Sequence, residues 1–117
     1  MYLEIEKNVG EDIKLEVVLH NKYTEKLKVY VAASIIPHGE IAACWTEYLY
    51  DIELEPCTKK TVEMTLKTKD CSEGDHDLHI QVAEHETAEI LGEAYYENVI
   101  HLKKPKKEVE IVDYELE

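Results

Sequence analysis

Residues 46–66 read TEYLYDIELEPCTKKTVEMTL, and this stretch decides the fold. On both sides of the polar break EPCTKK, apolar residues recur at every second position, at Ile52, Leu54, Val62, Met64 and Leu66. Successive side chains of a β-strand point to opposite faces, so this spacing gives each segment one apolar face. The pattern predicts two strands, 45–54 and 61–66, joined as a hairpin with Pro56 in the connection, where no ladder hydrogen bond is needed.

The same alternation recurs along the chain. Residues 13–20 (IKLEVVLH) and 27–35 (LKVYVAASI) predict a second hairpin with a longer connection, and the turn signal at 37–39 ends the second of these strands. DLHIQVAEH and YENVIHL add further segments. Seven or eight short alternating segments predict an all-β fold, an immunoglobulin-like antiparallel β-sandwich or barrel. Only HETAEILGEAYYE, residues 85–97, leaves a short helix open as an alternative.

A basic stretch marks a boundary near the end of the chain. KKPKK stands in an otherwise acidic sequence and is followed by VEIVDYELE, which alternates again. We therefore expect residues 1–104 to form the sandwich, and residues 105–117 to be either a last strand or the junction to a following domain.

Composition and charge exclude several classes of partner. The chain has 117 residues, 44% of them apolar and 33% charged, as expected for one folded module. With 26 acidic and 13 basic side chains, its formal charge of −13 repels nucleic acid and anionic membrane surfaces, so neither is an expected partner. No apolar run is long enough to span a bilayer, and the start MYLEIEKN lacks the plan of a signal peptide.

The cysteines favour reduced thiols over a disulfide framework. Cys44, Cys57 and Cys71 are odd in number and show no CxxC spacing. Reduced thiols are typical of the cytosol, so we expect a cytoplasmic location, with an extracellular parent protein as the alternative.

The densest set of potential metal ligands is DHDLH, residues 75–79. On a strand, Asp77 and His79 point the same way and are the candidates for a shared metal. The stronger interpretation is that both are ordinary polar residues on the wet face, because a metal site also needs fixed geometry and a supporting shell. We therefore predict no metal and no cofactor for this domain.

Nothing in the sequence indicates catalysis. No Gly-rich phosphate loop, HExxH or GxSxG occurs, and none of the three cysteines has a local partner pattern for a nucleophile. We expect no enzymatic activity.

The eight tyrosines, with no phenylalanine, are the remaining oddity. Tyr48 and Tyr50 share the parity of Ile52, which predicts rings at the edge of the core, with a docking patch as the sharper alternative. Tyr95 and Tyr96 point to opposite faces if extended. The candidates for contact with another domain are Tyr48, Tyr50 and Tyr96.

Taken in order, these segments resemble a known family. The succession GEDIKLEVVLHN, LKVYVAAS, WTEYLYDIELEP, KKTVEMTL, LHIQVAE and VIHLKKP is similar to the first C-terminal β-barrel of animal-type transglutaminases. The resemblance covers nearly the whole chain, and its most specific part is TEYLYDIELEPCTKKTV. The stretch after Leu66 departs from it, because LKTKDCSEGDHD lacks the tyrosine-rich segment usual there.

The resemblance implies an accessory role. In that family this domain packs on a separate papain-like core that transfers glutamine acyl groups to lysine amines, and in some members its displacement opens the active site. A second β-barrel follows, and the resemblance implies calcium as a candidate cofactor of the core of the parent enzyme, not of this domain. It thus implies a non-catalytic domain whose partners are the catalytic core and second barrel of the same polypeptide. The positions that help bind guanine nucleotide in regulated members correspond to Asn98 and His101, which argues against nucleotide control. The alternative is a stand-alone immunoglobulin-like binding or adhesion module of a multidomain protein.

Overall fold

Seven β-strands make up the secondary structure of residues 4–116, the part of the chain that the computed structural model describes. They are β1 (Ile5–Asn8), β2 (Ile13–His20), β3 (Leu27–Pro37), β4 (Trp45–Leu54), β5 (Lys59–Leu66), β6 (Gly74–Glu84) and β7 (Ile90–Lys103). Residues 1–3 and 117, assigned above to the sandwich and to the junction, lie outside the described residues.

The helix considered for residues 85–97 does not form. β7 begins at Ile90 and runs as a strand through the Leu91, Ala94 and Tyr95 positions that suggested a helical face. Among the described residues, none belongs to a helix with the length and apolarity that a membrane crossing requires.

The strands form two sheets, which confirms the predicted all-β fold of the sandwich or barrel type with seven to eight strands. One sheet has five strands in the order β1-β7-β6-β3-β4, and the other pairs β2 with β5. All pairings are antiparallel except that of β1 with the end of β7, where Ile5 lies opposite Ile100. β1 spans only four residues, too few for its alternation to be recognised in the sequence.

Both predicted hairpins are wrong, although their strands exist. β2 pairs with β5, Ile13 opposite Leu66, whereas β3 pairs with β4, Leu27 opposite Leu54. The connections after β2 and after β4 therefore cross from one sheet to the other instead of turning back within a sheet.

Asn21 explains why the two crossings lie together. Its side chain is 2% exposed, and its amide nitrogen lies 3.1 Å from the Leu54 carbonyl oxygen, 3.1 Å from that of Glu55 and 3.0 Å from that of Glu25. Its own N–H donates to the Thr58 carbonyl at 2.9 Å. One buried carboxamide thus satisfies backbone carbonyls of both crossings, which favours the pair of crossings over two hairpins.

The core lies between the sheets and follows the predicted parity. Ile52, Leu54, Val62, Met64 and Leu66 are all at most 8% exposed. They pack against the inward side chains of β3, whose Val29, Val31, Ala33 and Ile35 are fully buried. Burial of each large aliphatic side chain contributes about 1.5 to 3 kcal/mol, so these alternating rows hold the two layers together.

The cysteines correct the expectation of reduced thiols. Cys44 and Cys71 form a disulfide, with Cα atoms 5.1 Å apart, while Cys57 is free and exposed. Cys44 lies between β3 and β4 and Cys71 between β5 and β6, so the bond joins two connections that the sequence alone does not bring together.

The segment after β7 contains no strand in residues 104–116. Its apolar side chains are 77% to 95% exposed, namely Val109, Ile111, Val112, Tyr114 and Leu116.

Candidate functional site in the tyrosine face and the Asp77 cluster

A bulge in β4 turns two tyrosines outward. Val29 lies opposite Ile52 but Val31 lies opposite Leu49, so β4 carries one extra residue at this point, and Asp51 has φ of 58°. An extra residue reverses the alternation of a strand. Leu49 therefore packs on the core, and the prediction that Tyr48 and Tyr50 lie at the core edge is wrong.

Three rings form a connected aromatic surface on the outside of the five-stranded sheet. Tyr48 and Tyr50 are stacked with centroids 5.8 Å apart, and the Tyr30 ring is 5.5 Å from that of Tyr50. Tyr48 is 50% exposed and Tyr50 54%. We call Tyr30, Tyr48 and Tyr50 the tyrosine face. It is flanked by Ala32, which lies opposite Tyr48 and has too small a side chain to cover the rings.

Charged pairs border the tyrosine face. Lys28 pairs with Asp51 at 3.4 Å, and Lys26 pairs with Glu53 at 3.1 Å. The pKa of Lys26 is raised, first by its hydrogen bond to Glu53 and then by the charges of Glu53 and Glu55. Exposed pairs of this kind contribute little to stability. They give the aromatic centre a polar rim.

Tyr96 does not belong to the tyrosine face. As predicted for an extended chain, Tyr95 and Tyr96 point to opposite faces: Tyr95 is 47% exposed, and Tyr96 packs against the core. Tyr96 lines a groove of about 430 Å³ beside β2 and β7, together with Leu15 and Val17. The structure therefore brings Tyr48 and Tyr50 together but separates them from Tyr96.

Asp77 is the centre of a buried polar cluster. Its side chain is 4% exposed and accepts hydrogen bonds from the Tyr95 hydroxyl at 2.7 Å and the Asn98 N–H at 2.9 Å, and from His38 Nδ1 at 3.0 Å. Burial alone would raise the pKa of Asp77, but these hydrogen bonds outweigh it and hold the pKa below its usual value. The same bond to Asp77 raises the pKa of His38.

The cluster has a structural role in β7. Asn98 has φ of 53°, and its bulge places additional β7 residues opposite Asp77. The Asp77 carboxylate accepts the N–H that the bulge frees from the ladder. The carboxylate thus stabilises an irregular strand.

The structure does not bring Asp77 and His79 together as metal ligands. His79 Nε2 is hydrogen-bonded to Glu93, and its ring lies against Tyr95 with centroids 5.4 Å apart. Within residues 4–116, no group of three or more potential ligands includes either residue.

The group that does occur is Cys44, Cys71 and His76, and sequence reasoning missed it. His76 belongs to the DHDLH segment but shares the inward parity of Leu78, so it faces away from Asp77. Strand parity was the one available signal, because both cysteines reach the site from distant connections.

The positions matched to nucleotide binding carry other contacts. His101 lies between Asp75 at 2.7 Å and Glu4 at 3.1 Å, and these hydrogen bonds, Asp75 first, raise its pKa. Two carboxylates at this position give it a negative environment, which is unsuited to a phosphate.

No protein-family model matches this chain, and no curated protein matches its sequence.

Proposed function

We propose that this chain is a non-catalytic accessory module that binds a neighbouring protein domain through its tyrosine face. The observation that supports this most directly is the exposed cluster of Tyr30, Tyr48 and Tyr50 within a border of ion pairs. Tyrosine is enriched and charge depleted at the centres of protein interfaces, whereas the rim is polar. Exposed aromatic clusters rimmed by polar residues commonly mark binding surfaces.

In the finer form of the proposal, the chain is the first C-terminal β-barrel of a transglutaminase-like protein. The partner is then a separate catalytic core, to which the module controls access, and a second β-barrel follows. The order and spacing of the segments support this form. The exposed apolar side chains after β7 also support it, because Val109, Ile111 and Leu116 suit a segment that packs on a following domain.

A second candidate is a stand-alone immunoglobulin-like binding or adhesion module of a multidomain protein. The Cys44–Cys71 disulfide favours it, because disulfides persist in oxidising compartments and are rare in the cytosol. The coding sequence around this segment distinguishes the two: a cysteine-protease-like core supports the first candidate, and tandem sandwiches support the second.

Binding is tested with the neighbouring domain encoded in the parent gene. Titration calorimetry is expected to show affinity reduced at least about tenfold by Tyr48→Ser or Tyr50→Ser, because interface tyrosines are frequent hot spots. Val18→Ser is the matched control, since Val18 is 64% exposed but lies on β2 of the other sheet. Equal affinities for all three variants and the wild type would refute the tyrosine face as the docking surface.

The absence of catalysis has its own test. The chain alone is expected to incorporate no amine into a glutamine-containing protein, with or without calcium. Measurable incorporation would overturn the accessory assignment.

A further inference from the structure

The environment of His76 is unusual for a buried histidine. The residue is 1% exposed, and its Nδ1 lies 2.9 Å from the Gly74 carbonyl oxygen. A carbonyl oxygen can only accept, so Nδ1 carries the hydrogen, and in the neutral ring Nε2 is left with its lone pair. Nε2 is buried and has no hydrogen-bond partner. A buried polar atom without a partner costs about 1 to 3 kcal/mol and calls for an explanation.

The two sulfur atoms of the disulfide lie close to the His76 ring and suggest a role for its unpartnered nitrogen. A ring nitrogen of His76 and the Sγ atoms of Cys44 and Cys71 all lie within 4.8 Å of one another. Because Nδ1 is occupied by Gly74, Nε2 is the nitrogen free to act as a ligand. A metal-binding histidine commonly donates its other N–H to a backbone carbonyl or carboxylate, which fixes the tautomer and the ring orientation. His76 already has this arrangement.

Gly74 helps to fix the position of the His76 ring. It has φ of 122°, a backbone conformation that side-chain-bearing residues rarely adopt, and its carbonyl is the one that holds the ring. Cys71 is held independently, because its N–H donates to the Thr68 carbonyl at 2.9 Å. The positions of the imidazole and of one cysteine are thus fixed by the backbone and do not depend on the disulfide alone.

We propose that Cys44, Cys71 and His76 are the disulfide form of a redox-gated site for a soft metal ion of the Zn²⁺ type. Two thiolates and one imidazole make up a ligand set typical of Zn²⁺, with a fourth position open to water or another donor. In the disulfide the sulfur atoms are bonded to each other and unable to bind as thiolates. Tetrahedral coordination needs them about 3.8 Å apart, each about 3.6 Å from the nitrogen.

The chemistry balances in two steps. A dithiol reductant transfers two electrons and two protons to the Cys44–Cys71 bond, which becomes two thiols while the reductant becomes a disulfide. Zn²⁺ then binds both sulfurs and His76 Nε2, and the two thiol protons are released. A disulfide oxidant reverses the sequence: it accepts two electrons from the thiolates and two protons from water and becomes a dithiol, the Cys44–Cys71 bond forms again, and the ion is released. The site therefore holds a metal under reducing conditions and a disulfide under oxidising ones.

The test uses the full chain, reduced with a phosphine and then freed of it. Co²⁺ serves as the spectroscopic probe and Zn²⁺ as the competing ion. We expect one Co²⁺ per chain with a thiolate-to-metal charge-transfer band, displacement by Zn²⁺, and release of about two protons per Zn²⁺ bound near neutral pH. The oxidised chain is expected to bind neither ion.

Two variants make the test specific. His76→Leu keeps both cysteines and is expected to weaken Zn²⁺ binding at least about tenfold, because loss of a ligand exceeds the usual effect of losing an outer-shell partner. Cys57→Ser is the matched control: it removes the exposed thiol and leaves Zn²⁺ affinity unchanged. If reduction unfolds the chain, Zn²⁺ is expected to restore a cooperative melting transition in the wild type but not in His76→Leu.

Several outcomes would overturn the proposal. One is equal affinity of the reduced wild type and His76→Leu for Zn²⁺, and another is binding that disappears in Cys57→Ser. Binding of Zn²⁺ by the oxidised chain would also count against it, because the ion would then occupy some other site. None of these results depends on the tyrosine face, so the proposed docking function stands or falls separately.

Discussion

His76 and Asp77 are neighbours on one strand, yet the side-chain polar atoms of Asp77 all have hydrogen-bond partners and not all of those of His76 do. Asp77 faces the outer side of the five-stranded sheet, where three donors satisfy its carboxylate. His76 faces inward, where only one of its two nitrogens has a partner. A satisfied buried network stabilises the fold, whereas an unsatisfied buried atom opposes it. Asp77 therefore stabilises the structure, whereas the free-energy cost of burying the unpartnered His76 Nε2 requires another explanation.

Loss of the disulfide beside His76 is expected to lower the free energy of unfolding more than any other change considered. Cys44→Ala/Cys71→Ala removes a cross-link between residues 27 apart in sequence, which is expected to lower the free energy of unfolding by about 3 to 4 kcal/mol. Urea denaturation followed by circular dichroism measures this. Cys57→Ala is the control and is expected to change stability by less than about 0.5 kcal/mol. A double variant as stable as the control would contradict a closed disulfide in the native chain.

The Asp77 cluster is expected to give the second largest effect. Asp77→Asn retains the shape of the side chain but loses the charge that accepts three hydrogen bonds, and should destabilise the chain by about 2 to 3 kcal/mol. Asp75→Asn is the matched control on the same strand, because the Asp75 side chain is 60% exposed and its pairing contributes at most about 1 kcal/mol. Similar losses in the two variants would show that burial of Asp77 has no special importance.

His76 itself should be easy to replace in the oxidised chain. His76→Leu loses the hydrogen bond to Gly74 but also removes the unpartnered nitrogen, so the free energy of unfolding is expected to stay within about 1 kcal/mol of the wild type. Denaturation without reductant measures it. His76→Gln, which keeps polar atoms in the same place, is expected to be less stable than His76→Leu. The reverse order would mean that Nε2 has a partner and is not an orphan.

The smallest effect is expected from pH. Asp77 raises the pKa of His38, so the protonated ring stabilises the fold below about pH 6.5, and this contribution disappears as pH rises through the raised pKa. The pKa of Asp77 is depressed, so its contribution is present above about pH 3.9 and is lost as pH falls through the folded value. Between these limits both contributions are complete.

An NMR titration of His38 measures the first limit. Its pKa is expected to lie above the usual value in the wild type and to fall in Asp77→Asn. The loss of stability between pH 6 and pH 8 should be smaller in His38→Gln than in the wild type. An unchanged His38 pKa in Asp77→Asn would disprove the coupling of the pair.

Local features of the fold could be predicted from the sequence, whereas features that depend on distant contacts could not. Two-residue alternation is a local property, so β2 to β6 and the inward set of Ile52 to Leu66 were predicted correctly, whereas the short β1 was missed. Strand pairing depends on where the connections lead, and the buried amide of Asn21, which joins residues 33 and 34 positions away, has no local signal. The error in the hairpins has this cause.

The candidate site residues likewise differ in whether local alternation or long-range packing sets their placement. The opposite orientation of Tyr95 and Tyr96 follows from alternation alone and was confirmed. Tyr48 and Tyr50 were misplaced because Asp51 interrupts the alternation, and a bulge is set by the partner strand as much as by its own sequence. The meeting of Cys44, Cys71 and His76 depends on the packing of three separate segments, which spacing cannot reveal.

The bulge at Asp51 has a further consequence for how such a chain can change over generations. Loss of that single codon would remove the bulge but keep Leu49 on the core face and the rings of Tyr48 and Tyr50 outside, because Tyr50 would then directly precede the inward position after it. Deletion of this residue therefore costs the chain its bulge but not its exposed tyrosine surface.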